Sequence, residues 1–256
     1  LGGAGSKIVV EEFLEGEEAS FIVIADGQRA LPFASSQDHK AALDGDRGPN
    51  TGGMGAYSPA PVVTRAVHER IMREVIEPTI AGMRSEGYPY VGFLYAGLMI
   101  NQSGEPKVIE FNCRFGDPET QPIMSRLLTD LVPLMEAAID GALESTEIEF
   151  DTRSALTVVM ASGGYPGHYE TGKPLSGLDA AAAAAKVFHA GTKILDEAVV
   201  TSGGRVLGVT ALGDSVAAAQ TKAYDAVGKI SFEGASFRRD IGYRAVNREL
   251  ADNGSK

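Results

Sequence analysis

The stretch VIEFNCRFGDPETQ, residues 108–121, combines an alternating strand pattern with a dense group of polar side chains. Successive side chains of a strand point to opposite faces, so Glu110 and Asn112 share one face, about 6.5 Å apart along the strand. Carboxylate and amide oxygens suit Mg²⁺, which commonly takes one or two protein ligands. Taken alone, the pair is more typical of an ordinary strand with its polar face in water, and the residues that follow favour a metal site.

Directly beyond the strand come Arg114, Asp117 and Glu119. A guanidinium can grip phosphoryl or carboxylate oxygens with two parallel hydrogen bonds, so Arg114 is a candidate for contacting a transferred phosphoryl group. Asp117 precedes Pro118, and two roles are equally compatible with this position: capping the next helix or binding substrate. On the opposite face of the strand, we expect Cys113 to be buried in the core, without a chemical role.

A second group of polar residues lies in SSQDHK, residues 35–40, and DGDRGPNTGGMGAYSP, residues 44–59. Glycine-rich backbone can place several N–H groups around an anion, and Lys40 adds positive charge. The segment has neither the Walker nor the dinucleotide-binding pattern, and a flexible surface loop explains it equally well. No apolar periodicity runs through residues 35–60, which predicts a segment without regular structure. Of the four histidines, which lack zinc-site spacing, only His39 is a candidate for substrate contact.

Charge and composition limit the partners. The 256 residues include 34 acidic and 23 basic side chains, a formal charge of -11, which argues against a broad nucleic-acid surface. No window is apolar enough to span a bilayer, and a single Cys favours a reducing compartment. We therefore expect a cytoplasmic monomer that acts on small molecules.

The order of elements predicts an α+β protein. Residues 8–16 and 21–27 have strand composition, and a hairpin turn is predicted at residues 101–105. Helices are predicted to begin after Thr64, Asp130 and Ser215. The composition changes near residues 144–153, so we predict domains at 1–150 and 151–256.

Six strings together resemble one family: residues 8–21, 35–40, 48–61, 92–99, 108–121 and 163–172. In their order and in their amino-acid sequence, they are similar to the C-terminal part of the phosphoribosylamine–glycine ligase family, a group of ATP-grasp enzymes in purine biosynthesis. The resemblance extends from about Lys7 to Arg248. It implies an ATP-grasp large lobe, built from an antiparallel sheet with helices, followed by a small barrel-like α+β domain.

The resemblance also implies an activity. ATP phosphorylates the carboxylate of glycine, the amine of 5-phosphoribosylamine attacks the acyl phosphate, and glycinamide ribonucleotide, ADP and phosphate result. By similarity, Mg²⁺ or Mn²⁺ binds Glu110 and Asn112, and Arg114 is catalytic. The ATP-binding residues implied are Glu12, Phe13, Leu14 and Glu18. The substrate-binding residues implied are Asp38, Lys40, Asn50, Thr51, Gly52, Gly53, Asp117 and Glu119.

Two departures from the family pattern stand out. The carboxylate that many ATP-grasp enzymes carry on the preceding strand is not evident in GFLYAGLMI, residues 92–100. The family also has an N-terminal domain and a small lobe that precede the matched motifs, so we expect this chain alone to be inactive or nearly so. A ligase for another small carboxylate and a non-catalytic fragment that needs a partner chain stay open as alternatives.

Overall fold

The computed structural model describes residues 8–254, which form antiparallel sheets covered by helices. The strands are β1 Glu17–Asp26, β2 Ala30–Pro32, β3 Gln37–Asp38, β4 Ala41–Leu43, β5 Arg47–Asn50, β6 Gly55–Ser58, β7 Val91–Ile100, β8 Pro106–Asn112, β9 Ser154–Ala161, β10 Lys186–His189, β11 Thr192–Leu195, β12 Ala198–Thr201 and β13 Arg205–Gly213. The α-helices are α1 Arg65–Ile71, α2 Glu77–Ser85, α3 Thr120–Arg126, α4 Leu131–Ile139, α5 Leu178–Ala182, α6 Val216–Val227 and α7 Tyr243–Gly254. A π-helical segment, Met72–Ile76, joins α1 to α2, and a 3₁₀ turn spans Leu143–Ser145.

The first sheet has the strand order β2-β1-β7-β8, and helices cover both of its faces. Phe21 and Val23 of β1 pack with the side chains of α1 and α2. Ile22 and Ile24 point the other way and pack with α4. Burial on both faces explains why this antiparallel strand reads as a continuous apolar run rather than an alternating one.

The second sheet has the order β10-β13-β9-β6-β3 and is covered by α6. Leu156, Val158 and Val209 form part of its core together with Ala219 and Ala223 of the helix. Strands β3 and β6 precede residue 150, and β9 follows it, so this sheet draws on both sides of the predicted boundary. The division into 1–150 and 151–256 stays a prediction.

The predicted fold class is confirmed, with two local corrections. The strand predicted over residues 8–16 does not form: no described strand pairs with these residues, and Val10 and Phe13 are both 87% exposed. A segment with strand composition forms a strand only where another strand lies beside it to accept and donate backbone hydrogen bonds. Residues 35–60 are not structureless, because they contain β3 to β6, whose short strands carry too few apolar side chains to show a period.

The prediction that Cys113 is buried was wrong, because this cysteine is exposed. Strand β8 lies at the edge of the first sheet, and its side chains Ile109 and Phe111 are 38% and 41% exposed. Alternation places side chains on opposite faces, but burial requires a further layer over each face.

Within residues 8–254, none of the helices has both the length and the apolar character needed to cross a membrane.

Candidate active site

Strands β3, β7 and β8 and the segments that follow β5 and β8 meet at a polar cleft of about 200 Å³. Its lining residues are Asp38, Lys40, Thr51, Gly52, Tyr95, Glu110, Asn112, Arg114, Asp117 and Glu119. Most of the residues singled out in the sequence for metal, phosphoryl or substrate contact therefore lie around one cavity. Asn50 and Gly53 are exceptions. Asn50 is exposed in β5, Gly53 is buried against Pro118 and Asp38, and neither lines the cleft.

Glu110 and Asn112 both face this cleft from β8, as the alternation predicts. Lys40 Nζ lies 3.9 Å from Glu110 Oε1 and 3.2 Å from Glu18 Oε2. Burial lowers the pKa of Lys40, but these two carboxylates outweigh that effect and raise it overall. Lys40 is therefore a fixed positive charge in the cleft.

Two carboxyl groups line the cleft beside Lys40: Asp38, which is half-buried with its Oδ1 atom buried, and Glu119, which is buried. Burial, and next the Glu119 charge, raise the pKa of Asp38 well above its usual range. Among the described residues, Asp38 Oδ1 has no hydrogen-bond partner. Since buried polar atoms in folded proteins are nearly always paired, this oxygen is available to a ligand or ion. Glu119 accepts a 2.8 Å hydrogen bond from Ser20 Oγ, which in turn lies 3.0 Å from the Tyr95 hydroxyl.

The glycine-rich segment is held by its own side chains and by close packing. Thr51 Oγ1 donates to the Lys40 carbonyl at 2.9 Å and accepts from the Gly53 N–H at 2.9 Å. Gly53 has φ +112°, and a Cβ there would lie 2.4 Å from Pro118 Cδ and 2.7 Å from Asp38 Oδ1. Only glycine fits both the backbone conformation and the space.

The donors present fit a small divalent cation. Glu110 and Asn112 offer oxygen ligands, and the unpartnered Asp38 oxygen lies at the same cleft. Residues 8–254 hold no group of three His, Cys, Asp or Glu side chains arranged around a metal. A cation here would take few protein groups and complete its coordination with phosphate and water oxygens, which is the habit of Mg²⁺.

The residues expected to bind ATP line a neighbouring cavity of about 390 Å³. Glu12, Phe13, Leu14 and Glu18 share it with Lys107, and Lys107 Nζ donates to Glu12 at 2.7 Å. Glu18 lines this cavity and also pairs with Lys40, so it lies between the two spaces. The arrangement suits a nucleotide whose phosphates reach the polar cleft.

Other residues took positions that the sequence did not indicate. His39 does not line the cleft: it is buried, and its Nε2 accepts a 2.9 Å hydrogen bond from the Gly242 N–H. Asp117 is not the residue at the N-cap of α3, which is Glu119, and it forms an ion pair with Arg205. Tyr95 and Arg205 were missed because an isolated polar residue in an apolar strand has no motif of its own.

The chain is similar to known proteins over nearly its whole length. Residues 1–120 match the sequence model of the phosphoribosylglycinamide synthetase ATP-grasp (A) domain, and residues 155–244 match that of the C domain of the same family. A phosphoribosylamine–glycine ligase from Allochromatium vinosum is 64% identical over 250 residues, which are 97% of this chain and 58% of the relative. One from Pseudomonas aeruginosa is 62% identical over 99% of this chain and 59% of the relative.

The crystal structure of phosphoribosylamine–glycine ligase from Thermotoga maritima superimposes with a TM-score of 0.82 at 36% identity. The match covers 90% of this chain and 57% of that one. N5-carboxyaminoimidazole ribonucleotide synthetase from the same organism, at 18% identity and a TM-score of 0.52, shares the fold alone. The chain spans a little under three-fifths of the length of the relatives that it matches.

Proposed function

Because the chain belongs to the phosphoribosylglycinamide synthetase family, we propose that it carries the metal and substrate cleft of an ATP-dependent phosphoribosylamine–glycine ligase. The observation that supports this most is that Glu110, Asn112, Arg114 and Lys40 line one cavity together with the Asp38 and Glu119 carboxyl groups, beside the predicted ATP-binding segment. Phosphoryl transfer depends mainly on positioning and on charge neutralisation, and this set of residues supplies both.

In the proposed reaction, a glycine carboxylate oxygen attacks the γ-phosphorus of ATP, and the bond to ADP breaks. The amine of 5-phosphoribosylamine then attacks the carbonyl carbon of glycyl phosphate. The amine loses a proton, phosphate departs, and glycinamide ribonucleotide forms. Glu110 and Asn112 would hold Mg²⁺ or Mn²⁺, which would neutralise charge on the phosphates.

Other residues of the chain would bind the substrates and balance their charges. Arg114 lies at the cleft with its guanidinium donating to the Phe115 carbonyl, and the exposed remainder of that guanidinium is free to meet phosphoryl oxygens. Lys40 would balance phosphate or carboxylate charge. Asp38 and Glu119 both offer carboxyl oxygens that can accept hydrogen bonds from an amine or ammonium group. A positive charge bound beside Asp38 would oppose the effect of burial and favour its ionised form. Thr51, Gly52, Gly53 and Asp117 would form the wall around these substrates.

Three further points belong to the proposal. Asn50 is retained as a substrate contact from the resemblance, and its test is the effect of Asn50→Ala on the KM for each substrate. We propose that the protein is a monomer, which light scattering would check. We also propose a cytoplasmic location, which fractionation of the source cells would check.

The test of the function uses a joined enzyme, in which this chain replaces the matching part of the Allochromatium vinosum relative. We expect ADP release that requires both glycine and 5-phosphoribosylamine, with glycinamide ribonucleotide identified by mass spectrometry. The 256-residue chain is measured in parallel, with and without the remainder of the relative added as a separate polypeptide.

A panel of small carboxylic acids separates the alternatives. Faster ADP release with another acid would replace glycine as the substrate. Activity of the separate polypeptides only when mixed would support the fragment interpretation. No ADP release by the joined enzyme with any acid would contradict the proposed function.

A further inference from the structure

Arg205, at the start of β13, reaches the wall of the cleft from the second sheet. Its Nη1 donates to the Gly52 carbonyl at 2.6 Å and to the Asp117 carbonyl at 2.7 Å. Its Nη2 donates to Asp117 Oδ2 at 3.1 Å. Gly52 and Asp117 both line the cleft, so one guanidinium holds two separate parts of its wall together.

An irregularity in β13 sets the direction of the Arg205 side chain. The pairing of β13 with β9 shifts register between Arg205 and Leu207, which is the mark of a β-bulge. Bulges re-aim the side chains next to them and are common beside active sites. The direction of Arg205 therefore follows from an irregularity built into the strand.

A second residue that follows residue 150, Tyr165, binds the backbone N–H of Gly52. The Tyr165 hydroxyl accepts a 3.1 Å hydrogen bond from the Gly52 N–H. Gly204 makes room for the tyrosine, because a Cβ at Gly204 would lie 2.4 Å from Tyr165 Cδ2. The N–H and the carbonyl of Gly52 are thus both bound by residues that follow residue 150.

We propose that Arg205 is a positioning residue for the ligase reaction, which sets the spacing between the Thr51–Gly53 wall and the Asp117 wall around the acceptor substrates. This inference rests on the proposed function. Lysine cannot replace the arginine fully, because a planar guanidinium reaches several acceptors in fixed directions and an ammonium does not. The two carbonyls contribute more than the Asp117 carboxylate, whose side chain is 54% exposed and therefore screened by water.

The first experiment compares Arg205→Ala, Arg205→Lys and the unchanged joined enzyme. A misplacement of about 1 Å in a substrate wall costs about 100-fold in rate, so we expect kcat/KM for glycine and for 5-phosphoribosylamine to fall by about 10- to 100-fold in Arg205→Ala. The KM for ATP should change by less than about twofold, since the predicted ATP-binding residues line a different cavity. The kcat/KM of Arg205→Lys should lie between those of Arg205→Ala and the unchanged enzyme. Methylguanidinium in the buffer should partly restore the kcat/KM of Arg205→Ala.

The matched control is Arg153→Ala. Arg153 precedes β9 at the far end of the same strand pair and forms an ion pair with Asp151. It should change neither KM nor kcat. Equal changes in all three KM values in Arg205→Ala, or kinetics the same as in Arg153→Ala, would overturn the proposal.

Hydrogen exchange gives a readout that does not depend on activity. In the 256-residue chain, the amides of Gly52 and Gly53 should exchange faster in Arg205→Ala, with Arg153→Ala unchanged. If Arg205→Ala fails to fold, Arg205→Lys answers the same question. An inactive joined enzyme with faster exchange in the variant would contradict the proposed function but not the positioning, and unchanged exchange would contradict the positioning itself.

Discussion

At the scale of single residues, the cleft brings together polar side chains from two sheets. Glu110 and Asn112 supply neighbouring oxygens on one face of β8, and the alternation of the strand was enough to predict that they face the same cavity. Alternation alone could not place Asp38 with them, because β3 reaches the same cleft from a different sheet, and only the family resemblance grouped Asp38 with this site.

Replacing the carboxylate of Glu110 tests the metal site. In the joined enzyme, Glu110→Gln should lower kcat/KM by at least about 100-fold, because a divalent cation supplies several kcal/mol of charge stabilisation to phosphoryl transfer. Titration with Mg²⁺ should show weaker apparent affinity. Glu69→Gln, an exposed carboxylate in α1 that pairs with Arg65, is the control and should change neither quantity. Equal activity of the two variants would remove Glu110 from the metal site.

Gly53 tests the packing of the cleft wall. In Gly53→Ala, a Cβ would meet Pro118 and Asp38 at a positive φ, so both strain and clash oppose folding. We expect the free energy of unfolding to fall by about 3 kcal/mol. Gly87→Ala is the matched control, since Gly87 has φ +85° and nothing within 4 Å of the added carbon. It should lose only about 1 kcal/mol in urea denaturation, and equal losses would contradict the clash.

At the scale of elements, local signals were reliable and long-range pairing was not. Side-chain caps were confirmed at Thr64, Asp130 and Ser215, each accepting from the backbone N–H of the second or third residue after the cap. The hairpin turn at Asn101 was also confirmed, with its side chain accepting from the Ser103 and Glu105 N–H groups. These features depend on neighbours in sequence.

The elements that the sequence missed depend on distant partners. Strand β6 forms because it pairs with β9, about a hundred residues later, and β3 pairs with β6. Residues 8–16 have strand composition without a pairing partner among the described residues. Strand propensity mostly reflects how well a side chain packs on a pleated, half-buried surface. Composition alone therefore cannot distinguish a segment that has a pairing strand from one that lacks it.

The hairpin of β4 and β5 is anchored through Asp46 at its turn. Asp46 accepts from Tyr243 at 2.7 Å and pairs with Arg238 at 2.9 Å, and it also pairs with Arg244. Its neighbour His39, followed by Tyr243 and Arg238, favours the ionised carboxylate and holds the pKa of Asp46 far below its usual range, although burial opposes this. The hairpin is therefore tied to the start of α7.

This anchor predicts a dependence of stability on pH. A carboxyl group with a depressed pKa in the folded state contributes fully above its unfolded pKa of about 3.9, and the contribution is lost as pH falls toward the folded value. Asp46→Asn should therefore cost about 2 kcal/mol at pH 7 and less at pH 3.5. Urea denaturation at both pH values measures this. Glu69→Gln should cost little at either pH, and a constant loss in Asp46→Asn would contradict the mechanism.

At the scale of the whole molecule, the two family matches meet in a shared sheet. Strands β3 and β6 lie in the first match and complete the sheet that the second match supplies. Met54 and Tyr57, next to or within β6, belong to the same core as Leu156 and Val209. The motifs allowed the family to be identified from sequence. They did not predict that strands of the first match would join the sheet of the second.

Separate expression of residues 151–256 tests this coupling and the predicted domain boundary. Without β3 and β6, the fragment would expose the edge of β9 and lose the Met54 and Tyr57 side chains from its core. We expect no cooperative thermal unfolding by circular dichroism, whereas the 256-residue chain should unfold cooperatively. A fragment that melts cooperatively would support an independent domain after residue 150.

The exposed thiol of Cys113 has a practical consequence. The sequence contains one cysteine, and it follows Asn112 directly at the end of β8. A maleimide fluorophore would therefore attach at a single defined position beside the cleft, without removal of other thiols. Its emission could report nucleotide or metal arriving at Asn112 in real time, so the same edge strand that leaves this side chain uncovered also gives the protein a built-in attachment point for an optical sensor.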